Sequence, residues 1–496
     1  MASEFDIATI TRLAAGMEID GFRIVAPMRV GGTAQLFEVE RVDGRTDEFA
    51  LLMKVPRVGP GQPGESIIGF ETESMILPAL HGTHVPRCVA VGDLARVPHL
   101  TMERVQGESL SEMVARAPLP SNRLVDVGAA LADAVHSLYR QDAIHHDLKP
   151  DNVMLRADGC AVLLDFGFAH HAKFPDLLAE ERRFAAGSAP YVSPEQLRGA
   201  RDDPRSDIFA LGAVLYELAT GALPFGVPET IPEMRNRLWA LPVPLRAIAP
   251  DTPPWLQEII LRCLEPDPAK RYQTAAHVAF DLRHPDQLLL TARANRTKRA
   301  RFMTQLGRWW RARAVADAFD GYDEPTRRAH SASTHMQQSP VILIAFDTTH
   351  PDDYRHRALQ WTARQLASLN FEFRMICVSV VQAADGNAAA AIENSASGLQ
   401  LAHRVRLHHW IAPLDLPSHR VSLHVIEDDD PAATLLAFAE SNHVDLIVIG
   451  APTPGDAALA WWRSIASSVT AHAHCSVHVV RAADGQRQIQ ARPRPT

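Results

Sequence analysis

His145-His146-Asp147-Leu148-Lys149-Pro150-Asp151-Asn152-Val153 decides the reading of this chain. Asp147 stands two residues before Lys149 and five before Asn152, and Asp165-Phe166-Gly167 begins thirteen residues after Asn152. Ser193-Pro194-Glu195 follows farther on. Two carboxylates, a lysine and an amide oxygen at these intervals suit one chemistry, the transfer of a phosphoryl group from a magnesium nucleotide to a hydroxyl.

Outward from this stretch the pattern divides in two. Upstream, short β-like runs (Phe22–Val25, Gln35–Glu40, Phe49–Val55) end in Pro and Gly signals at 56–64, and a helix is expected from near Glu65. From about 121 the periodicity becomes helical, in NRLVDVGAALADAVHSLYRQ, DIFALGAVLYELATG and PPWLQEIILRCLEPDP. A small β-rich lobe thus precedes a larger helical one.

The motif and the lobe order resemble the eukaryotic-like (Hanks-type) serine/threonine protein kinases of bacteria. The resemblance implies an α+β bilobal protein kinase fold over 21–284 after an N-terminal leader, 1–20, which reads as a short helix. It implies ATP and Mg2+ as cofactors, with Mn2+ an alternative, and Ser/Thr hydroxyls of protein substrates as acceptors. Residue by residue, Asp147 matches the base that aligns the hydroxyl, and Lys149 the cation that neutralises charge on the moving phosphoryl group. Asn152 and Asp165 match the metal ligands. Lys54, in ALLMKVPR, matches the lysine that holds the α- and β-phosphates. Its partner is expected on the next helix, where Glu73 fits the spacing to Ile76, Leu77 and Leu80 better than Glu71 does. Met102 matches the gatekeeper, with Glu103, Arg104 and Val105 as the hinge to adenine. Ser188 stands where a hydroxyl contacts the catalytic aspartate and lysine. Glu195 is expected to pair with Arg271, and Asp207 to brace the catalytic loop.

Three departures stand out. The phosphate-covering loop reads Arg29-Val30-Gly31-Gly32-Thr33-Ala34, so Val30, Gly31 and Gly32 line the nucleotide with two of the family's three glycines replaced. His146 replaces the arginine that binds an activation-loop phosphate. The segment FAHHAKFPDLLAEERRFAA, 168–186, contains no Ser, Thr or Tyr. Both halves of a phosphate–guanidinium latch are therefore missing. The loop is expected to be ordered by its own packing or by another domain, with Asp176, Glu180 and Glu181 as built-in negative charge toward Arg182, Arg183 or a protonated His146. The altered glycine loop also keeps a second reading open, a pseudokinase scaffold or nucleotide-sensing protein.

From 285 to 337 basic residues dominate, including Arg293, Arg296, Lys298 and Arg299 with Trp309 and Trp310 nearby, and a linker with one basic helix is expected. Over 338–482 continuous apolar strands (VILIAFD, FRMICVSVV, VSLHVIE, VDLIVIG, SVHVVR) alternate with helices, which predicts an α/β domain with a parallel sheet covered on both faces. Asp347 ending the first strand, together with VDLIVIG, makes the domain similar to the universal stress protein family. Its nucleotide-binding members carry further glycines where this chain has Thr453 and Arg463, while Gly450 and Ser464 are kept. A sensory or dimerisation module with weak or absent ATP binding is expected. Arg463 as a phosphate contact leaves binding open, and a dimer through this domain is one assembly the resemblance allows. Residues 483–496 read as a tail.

A net charge of -8 gives no reason to expect nucleic acid. Five scattered cysteines without a Cys-x-x-Cys fit a reducing, cytoplasmic location. The first twenty residues lack a basic signal-peptide region, and no apolar run is long enough to span a membrane.

Overall fold

The computed structural model describes residues 13–58, 65–93, 97–181, 188–298, 341–348, 354–368, 373–381, 396–417, 420–442, 444–450 and 460–480. The first lobe is a six-stranded antiparallel sheet: β1 (Glu18–Ile19), β2 (Phe22–Val30), β3 (Ala34–Arg41), β4 (Leu51–Pro56), β5 (Cys88–Val91) and β6 (Leu100–Glu103), in the order β1-β2-β3-β4-β6-β5. Phe22 and Ile24 point into the core while Arg23 and Val25 face outward, the period-two signature of a half-buried strand. Helix α1 (Glu65–Ile76) carries Ile67 into the same core. The leader differs from expectation. Residues 13–20 are not helical, because Asp20 and Gly21 take positive φ (43° and 85°) and turn β1 back onto β2 as a hairpin. Residues 1–12 lie outside the described set.

The second lobe is built on α2 (Ser121–Tyr139), α4 (Arg205–Thr220), α5 (Pro254–Cys263) and α6 (Ala275–Arg283), with α3 (Leu177–Glu180) in the segment before α4. A Cβ at Gly128 of α2 would sit 2.9 Å from Leu215 and 3.1 Å from Leu282, so the missing side chain lets α2, α4 and α6 close on one another. Short strands β7 (Glu108–Ser109), β9 (Val153–Leu155) and β10 (Ala161–Leu163) form one ribbon, and β8 (Ala143–Ile144) pairs with β11 (His170–His171) in another. These ribbons bracket residues 145–152 and 164–169.

The start of the basic linker docks on the second lobe. Gln257, fully buried, donates from Nε2 to the carbonyls of Arg293 (2.6 Å), Ala294 (3.1 Å) and Arg296 (2.9 Å). Arg293 pairs with Glu258 at 3.0 Å and Glu265 at 2.9 Å, so 291–296 is a docked turn of the second lobe. The basic helix expected within 285–337, with Trp309 and Trp310, falls outside the described residues.

The third unit is a five-stranded parallel sheet in the order β14-β13-β12-β15-β16: β12 (Val341–Ala345), β13 (Arg374–Val381), β14 (Val421–Glu427), β15 (Leu446–Gly450) and β16 (Ser476–Val480). Alternate residues feed two cores. Ile342, Ile344, Met375 and Cys377 pack under α7 (Tyr354–Ser368) and α8 (Ala396–Ile411), while Leu343, Ile376 and Ile447 pack under α9 (Pro431–Ser441) and α10 (Ala460–His472). Apolar residues on both faces are what a doubly covered parallel sheet requires.

Candidate active site

Three elements distant in sequence meet in the cleft between the first two lobes. Lys54 lies on β4, Glu73 on α1 and Asp165 after β10. Lys54 Nζ bonds Glu73 Oε2 and reaches Asp165 Oδ1 at 3.0 Å. The Phe166 N–H donates to Glu73 Oε1 at 3.2 Å, tying α1 to the Asp165 segment. Glu71, the rival partner, is two residues away and faces the opposite side of α1, as a turn of about 200° requires. Burial pushes the Glu73 carboxyl up, against the pull of Lys54. Burial likewise opposes the charge on Asp165, but Lys54 overrides it and holds that carboxyl at about 2. Lys54 stays cationic: burial would lower its pKa, and Asp165 and Glu73 raise it further.

The catalytic-loop candidates converge from below. Asp147 Oδ2 accepts from Lys149 Nζ at 2.9 Å and from Asn152 Nδ2 at 3.0 Å, and Asp147 Oδ1 accepts from the Ser188 N–H at 2.6 Å. Lys149 also donates to Ser188 Oγ at 2.8 Å. Asp207 of α4 accepts the His145 and His146 N–H groups at 2.7 and 2.9 Å, which fixes the loop backbone. His145 Nε2 donates to the Leu164 carbonyl at 3.0 Å and joins this loop to the Asp165 segment. Glu195 and Arg271 form a buried two-pronged pair at 2.6 and 2.8 Å.

The donor set fits a nucleotide with a divalent cation. Asp165 is ionised, and with Asn152 Nδ2 engaged by Asp147, the Asn152 oxygen is the side-chain atom left for a hard cation. Met102 is buried at the end of β6, with the half-buried Val105 just beyond. The Glu103 side chain turns away to Arg156 at 2.6 Å, and its N–H donates to the Arg87 carbonyl at 2.9 Å. In the β2–β3 turn the Gly31 N–H donates to the Ala34 carbonyl, and Arg57 Nη1 donates to the Gly31 carbonyl, both at 2.8 Å. Val30 is 64% exposed beside Gly31 and Gly32. Arg57 was not singled out from the sequence, since a lone arginine after a strand has no distinguishing pattern.

His146 does not wait for a phosphate. It is buried, its Nε2 donates to the Arg201 carbonyl at 2.7 Å, and burial, with the Arg201 charge, pushes its pKa well below the ordinary value. Nor does Asp176 turn toward it. Asp176 caps α3 through the Ala179 N–H and pairs with Arg201 Nε at 2.7 Å, and Arg201 also donates to the Phe168 carbonyl at 3.0 Å. The Asp176–Arg201 pair thus ties the start of α3 to the segment before α4. Arg182 and Arg183 lie outside the described residues. Glu180 and Glu181 instead meet the third unit, at His424, Arg374 and Arg404.

In that third unit, Asp347 is buried after β12 and Gly450 ends β15. Thr453 and the side chains of Arg463 and Ser464 lie outside the described residues.

With this geometry in view, comparison with known proteins divides the chain the same way. Residues 59–281 match the protein kinase domain family and residues 340–481 the universal stress protein family. The chain carries a protein kinase domain followed by a universal stress protein domain. Among its relatives are a serine/threonine-protein kinase of Myxococcus xanthus (32% identical over 270 residues, 53% of this chain and 32% of that one) and the kinase PknB of Mycolicibacterium smegmatis (31% over 240 residues, 47% and 38%). A probable serine/threonine-protein kinase of Clostridium perfringens is 30% identical over 219 residues, 44% of this chain and 32% of that one. The chain therefore spans only about a third of the length of these relatives. Among the described residues no helix is long and apolar enough to cross a membrane.

Proposed function

We propose that the protein is an ATP- and magnesium-dependent kinase that phosphorylates Ser or Thr hydroxyls of protein substrates, with the C-terminal domain as a sensory module in stress signalling. The observation that carries this is the meeting of Lys54, Glu73 and Asp165 directly above Asp147, Lys149 and Asn152. Lys54, fixed by two carboxylates, would bind the nucleotide phosphates. Asp165 and Asn152 would hold the cation, which supplies charge neutralisation when bound. Asp147 would accept the hydroxyl proton and aim the oxygen, and Lys149 would offset the charge that develops. The relatives' designation as serine/threonine-protein kinases supports the acceptor type. All five cysteines are unpaired, in keeping with a cytoplasmic location.

One observation favours a second reading, nucleotide sensing without transfer. Asp147 is 3% exposed and its Oδ1 is taken by the Ser188 N–H, so a substrate hydroxyl must share or displace that contact. A radiolabelled ATP assay with magnesium on the full chain decides between them. Asp147→Asn is expected to lower phosphate incorporation at least about a hundredfold, on the order of 3 kcal/mol, with unchanged thermal unfolding. Nucleotide binding with no transfer by the parent chain would instead establish the sensing reading.

A further inference from the structure

Helix α8 of the C-terminal domain presents two faces. Gln400, His403, Leu407 and Trp410 point into its own domain: Gln400 donates to the Val425 carbonyl at 2.8 Å, His403 bonds Thr348 at 2.6 Å, and Leu407 and Trp410 join the domain core. Leu401, Arg404, Val405 and His408, about a third of a turn around, point at the kinase domain. Leu401 and Val405 are buried in the core of the first lobe together with Ile67 of α1.

The polar contacts beside them set carboxylates of the kinase domain against basic side chains of the C-terminal domain. The kinase domain supplies Glu71 from α1 together with Glu180 and Glu181 from the end of α3. The C-terminal domain supplies Arg374, Arg404, His408 and His424. Arg404 is fully buried. Its Nε bonds Glu71 Oε2, its Nη1 reaches Glu181 Oε1 at 3.3 Å, and its Nη2 donates to the Leu423 carbonyl of β14 at 2.7 Å. His408 adds a second contact to Glu71 at 3.2 Å. His424 lies between Glu180 Oε2 at 2.6 Å and Glu181 Oε1 at 3.0 Å, and Arg374 pairs with Glu180. One guanidinium thus links α1, the activation segment and the C-terminal sheet.

Glu71 and Glu73 lie on opposite sides of α1, so whatever holds Glu71 sets the rotation that delivers Glu73 to Lys54. We propose that Arg404 is a positioning residue for the phosphoryl-transfer site: the C-terminal domain holds α1 and the activation segment in the arrangement in which Lys54, Glu73 and Asp165 meet. This rests on the kinase reading above. It also gives the activation segment, which has no phosphorylatable residue between 168 and 181, a source of order outside the kinase domain. Buried charge pairs of this kind are strongly cooperative, because removing one partner strands the others away from water. Coupling between such sites typically amounts to about 5–150-fold.

The test uses the full chain as parent, Arg404→Gln, Glu71→Gln and the double variant. Phosphotransfer is measured against ATP concentration and against protein-substrate concentration, and hydrogen exchange is followed in α1. Arg404→Gln is expected to lower kcat/KM for ATP about tenfold or more. KM for the protein substrate should change little, and α1 amides should exchange faster. Glu71→Gln, which leaves Arg404 its contacts to Glu181 and Leu423, should shift both readouts the same way by less, and it stands in if Arg404→Gln fails to fold. The double variant should be no worse than Arg404→Gln alone. Unchanged exchange in α1 of the folded variant overturns the proposal, as does a rate within twofold of the parent's or above it. If the parent transfers no phosphate, the kinase reading fails, and α1 exchange alone decides: faster exchange upholds the clasp and unchanged exchange refutes it.

Discussion

Lys54→Met separates catalysis from folding at one position. The lysine is the cation between two carboxylates, Glu73 with 2% of its side chain exposed and Asp165 with 41%. Methionine fills similar volume but leaves Glu73 buried and unpaired, which costs about 3–5 kcal/mol if Glu73 stays charged. For a domain of this size that lowers the unfolding temperature by roughly 10 °C. Glu73 can escape part of the penalty by taking a proton, since burial already pushes its pKa up. A carboxyl raised in the folded state stabilises at low pH, and that stability is lost as pH rises through the folded pKa. The variant's deficit relative to the parent should therefore shrink as pH falls from 7.5 toward 5. Lys54→Met/Glu73→Gln, which removes the charge, should recover most of the unfolding temperature at neutral pH. Neither variant should regain phosphotransfer, with losses of about a hundredfold or more. Differential scanning calorimetry across pH, paired with the radiolabel assay, reads both. Refutation is a double variant no more stable than Lys54→Met, or a Lys54→Met chain as active as the parent.

Two further outcomes follow from the activation segment and from His146 of the catalytic loop. Phosphatase treatment of active protein should leave its rate within about twofold, because the Asp176–Arg201 pair already ties the start of α3 to the segment before α4. Loss of activity traced by mass spectrometry to Ser188, Tyr191 or Ser193 would contradict this. His146 is held below its ordinary pKa of 6.5, chiefly by burial, so the unfolded chain protonates first and its contribution is full above 6.5 and falls away below. His146→Asn, which tolerates the observed φ of 63°, should flatten the stability-versus-pH curve below 6.5 by up to about 1.4 kcal/mol per pH unit. Parallel curves for the two chains between pH 7 and 5 would show that His146 is not buried neutral.

Where chemistry fixes residue type and spacing, the chain could be read directly. The intervals from Asp147 to Lys149, Asn152 and Asp165 predicted a cluster, and Lys54 with Glu73 was picked out by resemblance to the family's motifs; the structure brings these six around one cleft. Parallel strands with apolar residues on both faces likewise announced the C-terminal sheet. The leader was misread because the apolar residues of 1–20 suggested a helix, while the Asp20-Gly21 turn decided for a hairpin. Arg293 and Arg296 were read as linker because a basic run has no partner in sequence; its partners, Gln257 and Glu258, lie on α5.

Helix α8 was missed altogether, and for a definite reason. A helix buried on one side shows an apolar stripe, but α8 is buried on two, so Leu401 and Val405 on one face and Leu407 and Trp410 on the other cancel the periodic signal. Arg404, Glu71 and Glu181 belong to segments separated by more than two hundred residues, and nothing local marks any of them as partners. The sequence by itself indicated which residues gather in the cleft, because the proposed phosphoryl transfer demands particular groups at particular intervals along short loops. Only the tertiary structure decided what holds that cleft together from outside, because a buried ion pair between domains depends on where folded surfaces meet and leaves no spacing in the chain.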